Sequence, residues 1–120
     1  MSKVVFKQCA LFDETLLQHG LAVYENFEKF KQTKMQNHMQ PFGSTDGPFR
    51  GNGPLGNHKP KLLHAHMTHD ISLIYYLSGS NPAVVNLLGF FTHDALGTGN
   101  PAAPKKQQSF VKRAKNQDMY

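Results

Sequence analysis

The chain has 120 residues, of which 39% are hydrophobic and 18% charged, with a net charge of +5. That length suits one compact domain with a lean core, and it excludes a membrane-spanning helix. The longest charge-free stretch, 71–92, is broken by Ser72, Ser78, Ser80, Asn81, Pro82 and Asn86. A single cysteine, Cys9, rules out an internal disulfide and the paired C-x-x-C motifs of zinc and redox sites, and the N-terminal residues carry no signal-peptide core, so the expected location is a reducing cytoplasm.

In chain order, residues 3–9 carry β-branched and aromatic side chains and predict a short strand. From Asp13 the apolar spacing turns helical. Leu17, Leu21, Tyr24 and Glu28 lie on one stripe, with Leu16, Val23, Phe27 and Phe30 on its flank, and these apolar side chains are expected to form core. Asp13 is expected to cap the start, and Lys29, Lys31 and Lys34 to favour the negative end of the helix dipole. Gly20 is expected to kink the helix or divide it in two.

Nine of the twenty residues in 41–60 are Gly or Pro, which predicts a long irregular excursion without regular structure. Three strand-like runs follow, 61–67, 71–77 and 83–91, joined by turns so tight that neighbours must run antiparallel. The expected architecture is α+β: an N-terminal strand and helices packed on an antiparallel β-sheet that ends in a three-stranded meander. Residues 1–104 form the expected single domain. Residues 105–120 form a basic C-terminal tail or helix, with five bases against one acid, a surplus of four that leaves only +1 for the body. Such a segment is either a solvated face or a contact for phosphate or an acidic partner.

The histidines matter by position. His64, His66 and His69 fall within six residues, Asp70 follows, and the pair His93-Asp94 comes just after the third run. On an extended strand His64 and His66 share a face, and His93 reaches the same surface only if the register of the meander brings it there. Two chemistries suit this set. One is a transition-metal site, because H-x-H followed by an acid resembles the first half of a cupin motif, although the second half and the required strand number are missing. The other is metal-free acid–base work on RNA. Attack by a 2′-hydroxyl needs a base for its proton, an acid for the departing 5′-oxygen and donors for the phosphate charge.

The run AHMTHDISLIYYL followed by FFTHDALG resembles the RelE/ParE superfamily of bacterial toxins, and within it the YafQ-like mRNA interferases. His66 and Asp70 match that family's histidine and aspartate at the same spacing. Residues 71–75 match its apolar strand, and residues 92–96 match its terminal T-H-x-x-L motif. The resemblance spans roughly residues 53–97. It implies a small RelE-like fold and mRNA cleavage, often on the ribosome, through a cyclic phosphate without metal or small-molecule cofactor. It also implies a protein antitoxin as partner. His66 and His93 inherit the role of acid–base pair, and Asp70 that of orienting an imidazole or the 2′-hydroxyl.

This chain departs from the family pattern at two points. The family places a further histidine before the Pro-Leu of the loop, where Gly53 stands here, so Arg50, His58 or His64 is expected to substitute, with Lys59 and Lys61 as phosphate contacts. The family also follows its strand tyrosine with Arg or Lys, where Tyr76 follows here and is left to stack on a base. A binding or interaction protein that keeps the scaffold without catalysis is the alternative.

Overall fold

The computed structural model describes residues 4–44, 46–49, 62–79, 82–98 and 102–116, with side chains through 113. The chain is α+β, built on one five-stranded sheet. The strands are β1 (Val4–Gln8), β2 (Gly47–Pro48), β3 (Leu63–His66), β4 (Ile71–Ser78) and β5 (Ala83–Thr92); the helices are α1 (Ala10–Gln36), α2 (His93–Leu96) and α3 (Pro104–Asn116). Spatial order is β1-β5-β4-β3-β2. The meander β3–β4–β5 is antiparallel as expected, but β1 runs parallel to β5, so the sheet is mixed. Parallel pairing needs a crossover, and α1 begins that return across the face of the sheet.

Strand alternation sorts the sheet into two cores. Ala65, Leu73, Tyr75, Val85 and Leu87 face α1 and pack with Phe12, Val23, Phe27 and Phe30. Leu62, Ile74 and Leu88 face the other way and pack with Phe49, Leu96, Phe110 and Val111. Where Ile74 pairs with Gly89 but Tyr75 pairs with Leu87, Leu88 bulges out of the ladder. The bulge shifts the phase of β5, so that Phe90 points to the α1 core after Leu87 has done so. At this bend the backbone approaches α1 closely. A Cβ on Gly89 would lie 2.7 Å from the Thr15 hydroxyl, which accepts from the Phe90 N–H at 3.0 Å and donates to the Phe12 carbonyl.

Four expectations need correction. The helix starts at Ala10, with Cys9 at its cap position; Asp13 lies within the first turn, where its carboxylate accepts from the Gln8 amide at 2.7 Å. Gly20 neither breaks nor divides the helix: a single helix runs through it from Ala10 to Gln36, with core contacts on both sides. Leu16, Leu17, Leu21 and Tyr24 are exposed, and the core-facing stripe is Val23, Phe27 and Phe30 from the flank, with Phe12 and Thr15 added. The Gly/Pro-rich stretch is not wholly irregular, since Gly47 and Pro48 pair with His64 and Leu63 at the sheet edge. The basic segment is helical, and it lays Gln107, Phe110 and Val111 into the second core while Lys105, Lys106, Lys112 and Arg113 face solvent.

No described helix is long and apolar enough to cross a membrane.

Candidate functional site

The histidine surface lies on the α3 side of the sheet. The register pairs His64 with Ile74 and His66 with Ser72, and Ser72 in turn with Phe91, so these side chains share one face across β3, β4 and β5. Beyond β5 the chain turns into α2, whose start is fixed by the Thr92 hydroxyl accepting from the Ala95 N–H at 3.2 Å. His93, the first residue of that turn, donates its backbone N–H to the Asp70 carbonyl at 2.9 Å. This one bond extends the β4–β5 ladder past its last paired residues and brings His93 to the end of β3.

The result is a row of rings. Phe110 lies 4.9 Å from Phe91 and 5.7 Å from Phe49, Phe49 lies 6.2 Å from His64, His64 lies 5.7 Å from His66, and His66 lies 5.0 Å from His93. One end of the row is core; the other is half-exposed imidazole. Burial lowers the His66 pKa below the usual imidazole value, and the proximity of His93 pushes it the same way. Both effects act against a charge on His66, and its neutral ring is the form that can accept a proton.

The remaining candidates fall out separately. Asp70 is exposed in the β3–β4 turn, which is held by the Thr68 hydroxyl accepting from the Asp70 and Ile71 N–H groups at 3.1 and 3.0 Å. Among the described residues its carboxylate contacts neither imidazole, so it bears on His93 through its backbone carbonyl. His69 is exposed in the same turn. Tyr76 is half-buried, and its phenol pKa is raised first by burial and then by Cys9, in a notch that also holds Lys7, Gln8 and Asn86. It is thus on the same sheet face as the histidines but toward the other end of β4. Arg50, His58, Lys59 and Lys61 lie outside the described residues.

Two neighbours of the site escaped the sequence reading. Ser72 sits beside His66 and is buried; the alternation that puts His64 and His66 on one face, carried across the turn, would have found it. Phe49, which backs His64, comes from the Gly/Pro-rich stretch and gave no periodic signal. Among the described residues, no three His, Cys, Asp or Glu side chains are arranged to hold a metal ion. No family model, no curated protein and no solved structure matches this chain.

Proposed function

We propose that the chain is a toxin-type endoribonuclease of small RelE-like fold that cleaves mRNA, on the ribosome, without metal. The observation that carries this reading is the 5.0 Å approach of the His66 and His93 rings on a reachable face of the sheet. His66, with its lowered pKa, is the base: it takes the proton of the RNA 2′-hydroxyl as that oxygen attacks the adjacent phosphorus. The bond from phosphorus to the 5′-oxygen breaks, and protonated His93 supplies the proton that lets this oxygen leave as a hydroxyl. The products are a 2′,3′-cyclic phosphate and a new 5′-hydroxyl end. Asp70 keeps His93 in place through the backbone bond, and His64 lies close enough to the pair to bear on the scissile phosphate.

The solvent-facing bases of α3 lie on a helix that packs against this same sheet face, and they supply positive charge for an RNA backbone. Lys106 is 3.5 Å from the carboxylate of Asp94, the residue that follows His93 in α2. A protein antitoxin that covers the histidine row would silence the activity.

The test is to incubate the pure protein with translating ribosomes and map RNA ends. New ends bearing 2′,3′-cyclic phosphates are expected, and they should disappear with His66→Ala and with His93→Ala. Intact RNA under all conditions, or cleavage that survives both substitutions, rejects the assignment and leaves the non-catalytic interaction protein.

A further inference from the structure

We propose that the outer face of α1 is a homodimer seam, on which a second copy of this chain packs its own α1 antiparallel. This inference is independent of the histidine surface, which lies across the sheet from α1. Along α1, Ala10, Glu14, Leu17, Leu21, Tyr24, Glu28, Lys31 and Met35 follow one another at alternating intervals of four and three. That is the spacing of a coiled-coil seam. None of them belongs to the core on the other side of the helix: Leu17 is 89% exposed, Leu21 fully exposed, and Tyr24 64% exposed. Three large apolar side chains so placed at the middle of one helix make a coherent unpartnered patch rather than scattered surface residues.

The charges on the seam choose the occupant and its direction. In a parallel pairing Glu14 would meet Glu14, Glu28 would meet Glu28 and Lys31 would meet Lys31, so every charged position would face its like. In an antiparallel pairing centred between Leu21 and Tyr24, Leu21 meets Tyr24 of the second copy, Glu14 meets Lys31, Leu17 meets the stem of Glu28 and Ala10 meets Met35. Every charge then faces an opposite charge or an apolar neighbour. Lys31 already draws the Glu28 carboxylate aside, at 2.8 Å, which leaves the Glu28 stem free to pack. The helix is self-complementary, as a two-fold interface requires.

The experiment is sedimentation equilibrium of the full chain over roughly 1–200 µM, a range in which a weak dimer shows itself by mass action. The expected result is a weight-average mass that rises from one chain toward two. Leu21→Asp should hold the mass at one chain, with an unchanged circular dichroism spectrum because the site is fully exposed. Glu14→Lys, which sets Lys against Lys31, should weaken association at least tenfold, and Glu14→Lys with Lys31→Glu should restore it. A wild-type monomer throughout the range, a dimer indifferent to Leu21→Asp, or a double variant without rescue overturns the proposal.

Discussion

Lys34 is an ammonium group held almost wholly out of water. It and Asp46 are each 2% exposed in their side chains, 2.9 Å apart. Lys34 also donates to the Gln40 carbonyl at 2.6 Å and is flanked by the Phe30 and Tyr75 rings, while Asp46 accepts further from the Tyr75 hydroxyl and the Phe42 N–H. A buried charge is tolerable only when paired and hydrogen-bonded in this way. Asp46→Ala removes the shared acceptor and leaves an ammonium, a phenol and an amide without it, so denaturant unfolding should show a loss of about 3–5 kcal/mol. Tyr75 gives a separate signal. Burial and then its bond to Asp46 raise its pKa above the ordinary value of 10, so as pH rises the unfolded chain loses this proton first. Stability is therefore intact below pH 10 and falls above it, by about 1.4 kcal/mol per pH unit for one such group, and Tyr75→Phe should flatten that decline. At the histidine pair the same reasoning applies to rate: a base with a lowered pKa stays neutral to lower pH. Under the proposed ribonuclease reading, the acid limb of cleavage should lie below the ordinary value of 6.5, and either alanine variant should cut cleavage at least a hundredfold while the melting temperature holds. The histidine face was legible, because strand alternation alone puts His64 and His66 together. The Lys34 network was not, since its acid comes from a stretch with no periodic pattern and Lys34 by itself reads as an ordinary residue of a helix end.

Among the elements, α1 illustrates what periodicity can and cannot settle. Its sequence carries apolar residues on two sides, and spacing alone does not tell which side meets the sheet. The deciding feature is Thr15 against Gly89, a contact between residues far apart in the chain. Gly20 is helical within an unbroken helix, and a Cβ there would meet only the Leu16 side chain at 3.4 Å. Gly20→Ala should therefore raise stability by about 0.5–1 kcal/mol, through helix propensity and a less disordered unfolded chain. Gly89→Ala should act in the opposite sense, costing about 2 kcal/mol, because the added methyl meets Thr15 and the Phe91 ring at the bulge. Thermal melts of the two variants should move in opposite directions. β2 escaped notice because two residues are too few to show any alternation, and one of them is a proline of the kind confined to sheet edges.

At the scale of the molecule, one sheet separates two cores, and α3 is the lid of the smaller one. Gln107 donates to the Gly97 carbonyl at 2.8 Å, and Ala103 N–H donates to the same oxygen, so α2 and α3 are tied at their junction as well as through Phe110. Phe110→Ala should cost about 3–5 kcal/mol in chemical denaturation, because its ring contacts both Phe49 and Phe91. A chain cut before α3 should expose Leu62, Ile74 and Leu88 and aggregate. The order of elements and the antiparallel meander were readable from turn residues and tight connections. The parallel place of β1 was not, since no local signal states which strand a five-residue segment will join.

That parallel pairing has a kinetic consequence. Val4, at the start of β1, has its partner at Ala83, so the first strand made waits for the last one before it can bond. Closure over so long a loop is slow, and a nascent chain must be nearly finished before its sheet can close. His93 comes directly after that final strand, so the His66–His93 pair comes together only once β5 has joined the sheet.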